Sequence, residues 1–204
     1  MLESISPPRK MRILGLDPGL RRTGWGVIDH NRSSIIHVGN GTVQPSTKLT
    51  LVERLVELHR GVLDVVKKFQ PDSAAAEETF VNKNPSSTLK LGIARGAVLI
   101  SPALANVAVT EYAPNRVKKS VVGVGHASKE QIQLMVRKIL PSANIDSPDS
   151  ADALAVAICH AHFSQVNQSL GKSIAAHETK EYGRAVSSRM QELIDAALCK
   201  ETLE

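Results

Sequence analysis

Residues 12–26 read RILGLDPGLRRTGWG. The apolar run Ile13, Leu14, Leu16 has the length and bulk of a buried strand, and Pro18-Gly19 punctuates its end. Asp17 is therefore expected at a strand terminus, held by rigid backbone. Thr23 to Ile28 reads as a second strand joined to the first by a hairpin loop. Its Trp25, Val27 and Ile28 suit a pleated surface, and Gly24 and Gly26 suit the close approach of another backbone. Taken alone, an Asp-Pro-Gly needs no function, because the Asp side chain can cap its own turn. The rest of the chain decides what Asp17 does.

Ser34 to Val43 alternates as a third strand and completes an antiparallel meander. Ser46 is the expected N-cap of a helix whose Val52, Leu55, Val56, Val62, Leu63 and Val66 recur at helical spacing up to Phe69, with Pro71 beyond its end. Ser73 to Ala76 is expected as a central strand leading into Glu77 and Glu78. Asn84-Pro85 supplies the cap and first turn of a second helix, running to about Ser101 before Pro102. On it Gly92 and Gly96 form a flat strip for a close helix partner, and spacing alone favours a partner inside the domain. Val107 to Thr110 reads as a fifth strand, Asn115 to Val122 as a short helix, and Ser128 caps another that runs to Leu140.

Ser147 and Pro148 open the last core helix, SPDSADALAVAICHAHF. Asp149 and Asp152, three apart, share one face of it. Complementing the helix dipole explains Asp149 fully and Asp152 less well. The alanines let this helix lie tightly on a sheet, with its first-turn carboxylates near strand ends. Three strands followed by alternation argue an α/β fold, a mixed five-stranded sheet flanked by helices.

The 204 residues suffice for one well-cored domain and are short for two. Residues 1–10 read as a flexible basic arm, 11–165 as the compact domain and 166–204 as a partly helical tail. No stretch has the roughly 18 apolar residues of a membrane span, and the N-terminus lacks the apolar centre of a signal peptide, so a cytoplasmic location is expected. Cys159 and Cys199 lie in different expected helices without CxxC spacing, which argues against a disulfide framework or thiolate metal site. Net charge is +5; residues 170–204 carry 5 basic and 6 acidic side chains, leaving 20 against 14 in residues 1–169. The compact part is the basic part, which suits a polyanionic partner such as nucleic acid.

Four carboxylates stand out by position: Asp17, Glu77, Asp149 and Asp152. Were they to converge, two like charges about 4 Å apart would repel by about 4 kcal/mol at an effective dielectric near 20. Four in one pocket need protonation or a bound cation. Mg²⁺ takes oxygen ligands and shares carboxylates with a phosphate, and a pair of such ions serves phosphodiester hydrolysis. The sequence permits the convergence without showing it.

LGLDPGLRRTGWGV, AAEETFVNKNPSSTLKLGIARG, EYAPNRVKKSVVGVGHASKEQ and SPDSADALAVAICHAH together closely resemble the RuvC family of Holliday junction resolvases. The resemblance covers about residues 11 to 165. It implies a ribonuclease H-like fold, a homodimer, and Mg²⁺-dependent paired nicking of two strands of like polarity at a four-way DNA junction, in recombination and repair. The family's catalytic acids map onto Asp17, Glu77, Asp149 and Asp152. In the family these ligate two metal ions, one of which activates the attacking water, and the products are a 5′-phosphate and a 3′-hydroxyl; Mn²⁺ is the expected substitute. Phe80 matches an aromatic used near the crossover, Lys118 and Lys129 match basic residues that contact phosphate, and the Gly92–Gly96 helix matches a dimer-interface region. A RuvA-RuvB branch-migration complex is the expected partner. Glu78 departs from the family, where a neutral amide is common; alternation points it away from Glu77. His160 and His162, two apart on a helix, and His126 read as structural or exposed rather than metal ligands. Two rivals stand beside this reading: an actin-like or sugar-kinase ATPase, which needs more chain than is present, and a junction-binding protein that has lost cleavage, which the four acids argue against.

Overall fold

The computed structural model of the protein describes residues 10–31, 34–78 and 85–164. The chain divides into two compact units between His162 and Phe163, and the first holds the sheet. Residues 1–9, Phe80, Lys83, Asn84, Cys199 and the tail over 166–204 lie outside the described residues. In order come β1 (Met11–Asp17), β2 (Thr23–His30), β3 (Ile35–Val43), α1 (Leu51–Phe69), β4 (Ser73–Glu77), α2 (Pro85–Leu104), β5 (Ala108–Tyr112), α3 (Pro114–Val122) and α4 (Lys129–Ile139). A last helix, α5, spans 148–164. The sheet order is β3-β2-β1-β4-β5. β1 to β3 form the antiparallel meander, and β4 and β5 add in parallel to β1.

Alternation gives the sheet two faces. Leu14, Leu16, Ala74, Ala76 and Val27 point into a core with Leu58, Val62, Val65 and Val66 of α1 and Ala94 and Val98 of α2. Gly15 and Asp17 lie on the opposite face, against α5. A Cβ on Gly15 would fall on the Ala153 carbonyl oxygen, and one on Gly24 on the Asp149 carbonyl oxygen. Only glycine at these two positions lets the helix backbone lie directly on the strands. α5 is accordingly apolar on nearly every side: Ala151, Ala153, Leu154, Ala155, Val156, Ala157, Ile158 and Cys159 are all buried.

The structure corrects several local expectations. The N-cap of α1 is Thr50, not Ser46: Thr50 and Glu53 form a capping box, whereas Ser46 closes a turn by accepting from the Lys48 amide. The apolar stripe of α1 runs through Leu58, Val62 and Val65, and Val52 and Val56 are exposed. Six residues before Val62, at about 100° a step, Val56 sits about 120° round the helix. α2 continues through Pro102 to Leu104. A proline one turn from a helix end removes a single bond, and the end closes where the Ala105 and Val107 amides donate to the Pro102 carbonyl. The arm's last residue is tied down, because Lys10 Nζ lies 2.6 Å from Asp29, which also takes a two-pronged bond from Arg12. Gly92 and Gly96 face open space among the described residues, not a helix of the same domain.

Candidate active site

Parallel pairing aligns Leu16 of β1 with Ala76 of β4, so the next residue along each strand is a carboxylate, Asp17 and Glu77. Ser147 caps α5 by accepting from the Ser150 amide at 3.1 Å, which fixes the first turn carrying Asp149 and Asp152. Because Gly24 and Gly15 admit that helix onto the sheet, both side chains are brought to the strand end where Asp17 lies.

The electrostatics record the convergence. Burial first, then the charges of Asp152, Glu77 and Asp149, push the Asp17 carboxyl up to about 7. Burial and Asp152 raise Glu77, with Lys118, Lys129 and Arg95 pulling the other way. Asp152 is raised mainly by burial, opposed by Lys129. The Lys129 ammonium sits 2.6 Å from Asp152 Oδ2 and is itself held protonated by that contact. Arg22 Nη1 approaches Asp149 Oδ2 at 3.9 Å. Glu78 lies outside the cluster: it is exposed, and its amide donates to the Tyr112 carbonyl.

The donor set fits hard divalent cations, being all carboxylate oxygen, with burial first and the neighbouring carboxylates second holding a proton on Asp17 near neutrality. As the side chains lie, no three His, Cys, Asp or Glu groups among the described residues converge as ready ligands. Lys129 pairs with Asp152 there. His160 is buried and engaged elsewhere, with Tyr112 Oη 2.9 Å from its Nδ1 and Ser73 Oγ 3.1 Å from its Nε2, while His162 and His126 are exposed.

Thus four of the residues singled out from the sequence share one pole of the sheet, and Lys118 and Lys129 reach it electrostatically. Phe80 lies outside the described residues. Arg95 was missed: its guanidinium donates to the Glu77 carbonyl oxygen and pairs with Glu111. Its place in KLGIARG puts it on the helix expected there without showing the strand it meets.

A mixed sheet with the order 3-2-1-4-5, carrying an acidic cluster at the end of its central strand, defines a ribonuclease H-like nuclease. Residues 13–160 match the family described as crossover junction endodeoxyribonuclease RuvC. The crossover junction endodeoxyribonuclease RuvC of Rhodospirillum rubrum is 57% identical over 153 residues, covering 75% of this chain and 90% of that protein. T. thermophilus RuvC in complex with a Holliday junction substrate superposes with a TM-score of 0.72 at 35% identity, over 77% of this chain and 96% of that one. The yeast mitochondrial Holliday junction resolvase Ydc2, at 15% identity and a TM-score of 0.56 over 76% of this chain and 80% of its own, shares the fold. The chain belongs to the RuvC family of crossover junction endodeoxyribonucleases. Divalent-metal dependence goes with that family. Among the described residues no helix is long and apolar enough to cross a membrane.

Proposed function

We propose that this protein resolves four-way DNA junctions by paired, symmetric nicks in strands of like polarity, in homologous recombination and repair. The observation that carries the reading is the meeting of carboxylates from β1, β4 and α5 at one sheet pole, where burial and mutual repulsion hold Asp17 at about 7. Asp17, Glu77, Asp149 and Asp152 are the residues that would hold Mg²⁺, two ions per subunit, with Mn²⁺ as a substitute. The bound ions would supply the charge that activates a water and stabilises the oxygens of an in-line phosphodiester displacement, giving a 5′-phosphate and a 3′-hydroxyl.

The chain's own groups divide the remaining work. Asp17 and Glu77, on neighbouring strand ends, keep the oxygen donors fixed. Lys129 neutralises Asp152 and, with Lys118, faces the incoming phosphate. Phe80, outside the described residues, is assigned to the crossover because it matches an aromatic that the family uses there. The nuclease domain is taken as residues 11–165, acting in the cytoplasm. It works as a homodimer through the outer face of α2, where Leu89, Ile93 and Ile100 are exposed beside the open Gly92 and Gly96. The RuvA-RuvB branch-migration complex is the partner proposed from family membership.

The test is a labelled synthetic four-way junction incubated with the purified protein, with and without Mg²⁺, and the cut positions mapped on every strand. Paired nicks that need the metal and are absent from linear duplex are expected. Junction binding without nicks, in Mg²⁺ and in Mn²⁺ and across several junction sequences, would overturn the nuclease assignment.

A further inference from the structure

Beside the acidic pole lies a separate cleft of about 990 Å³. The loop over residues 19–22 forms one wall, and the start of α1 and the first two turns of α2 form the others. Its charged lining is Arg21, Arg22, Arg54 and Lys90, against the single carboxylate Asp149, which is also the edge of the acidic cluster. Among the described residues no aromatic ring lines it. Thr47 and Ser87 add short hydroxyl groups to the lining.

The four cations are not equivalent. Arg22 is committed, its Nε donating to Gln44 at 3.2 Å and its Nη1 turned toward Asp149. Arg54 forms part of the wall: Nη2 donates to the Leu20 carbonyl at 2.8 Å, which pins the loop. Its Nε is the one buried side-chain polar atom without a hydrogen-bond partner among the described residues. The guanidinium keeps its full positive charge in the wall beneath the cleft. Arg21 and Lys90 are exposed at the rim, and among the described residues neither forms an ion pair. Helical spacing explains why Lys90 points here. Ser87, Lys90 and Leu91 continue the face of α2 that further on carries the buried Ala94 and Val98, and the opposite face carries Leu89, Ile93 and Ile100.

We propose that this cleft is a backbone-phosphate subsite: it grips the DNA strand next to the cut, on the Asp149 side, through Arg21 and Lys90, with Arg54 as its charged floor. The proposal rests on the nuclease reading and adds a site that reads no sequence. Its task is to hold the strand in register while the acidic pole acts on the neighbouring linkage.

Junction affinity is to be measured by fluorescence anisotropy over a salt series, without divalent cations so that nothing is cut. Each phosphate contact contributes a slope of about −0.9 in log K against log salt, so Arg21→Gln with Lys90→Gln should flatten the slope by about 1.8. Lys67→Gln with Lys68→Gln is the control: the same charge is removed from exposed positions at the far end of α1, beside β1's first residues. It should leave the slope unchanged. A methylphosphonate placed at each linkage flanking the cut should weaken the wild-type protein at one or two linkages and leave the Arg21/Lys90 variant indifferent there. If the wild-type slope is steep and the cleft variant matches it, or the control flattens it equally, the subsite is overturned and the nuclease reading stands. If the wild-type protein does not bind the junction at all, both fall.

Discussion

Asp17 is the carboxyl that burial and the neighbouring charges hold protonated. Its folded pKa, about 7, lies well above that of an unfolded Asp, so over the window from about 4 to 7 the folded state binds more protons than the unfolded one. The stability associated with the protonated form is complete below the unfolded pKa and lost as pH rises through 7. Burial raises Glu77 and Asp152 in the same sense. In chelator, the wild-type protein is therefore expected to melt at progressively lower temperature from pH 4 to pH 8. Asp17→Asn should melt higher than wild type above pH 7, by about 4 °C or more, and converge with it near pH 4; parallel curves would show that Asp17 is not the group under stress. The same substitution should cut nicking by more than about a hundredfold, since loss of even an outer partner of a metal ligand costs about 10–100-fold. Junction affinity without metal should hold, because the basic surface is untouched. The strand end and the turn that carry Asp17 were legible in RILGLDPGLRRTGWG; Glu77, Asp149 and Asp152, 60 or more residues away, were singled out by position and by the family resemblance, but spacing along the chain did not show that they meet.

At the scale of elements, the contact between α5 and the β1-β2 hairpin decides the site. Gly24 lies against the Asp149 carbonyl oxygen, so Gly24→Ala inserts a methyl where there is no space. The expected result is a loss of about 1–3 kcal/mol in stability. Because the displaced turn carries Asp149 and Asp152, cleavage should fall by about a hundredfold, as a misplacement of about 1 Å can cost that much. A thermal melt and a single-turnover cleavage assay on the same preparation separate the two effects, and full activity would mean that α5 does not position the acids. The glycines of β2 and the alanines of α5 each read from the sequence as suited to close approach, without showing that they meet each other. Smaller features were misread where two local signals competed. Ser46 and Thr50 are both plausible caps, but only Thr50 has a glutamate three residues on, and that reciprocal bond settles the helix start. Pro102 looked like a terminator because a proline stops a helix in its interior, whereas in the last turn it costs one bond.

For the molecule as a whole, α2 separates two kinds of surface: a face buried against the sheet and leading into the basic cleft, and an apolar face open to the outside. Ile93 is 40% exposed in the middle of the latter. If the protein dimerises through this face as proposed, Ile93→Glu should leave it a monomer in sedimentation at micromolar concentration and turn paired junction nicks into single ones, while a far-ultraviolet spectrum stays that of the wild type. An unchanged dimer would place the interface elsewhere. The sequence by itself determined the elements, their approximate order and the family, because periodicity, caps and turn residues act over a few positions and the four motifs are long. Only the tertiary structure decided that Asp17 and Glu77 end adjacent parallel strands, that Lys129 settles on Asp152, and that Arg21, Arg54 and Lys90 surround one cleft. Those distances are set by strand register and by a helix pressed onto glycine. Both are long-range packing results, and no local spacing along the chain encodes them.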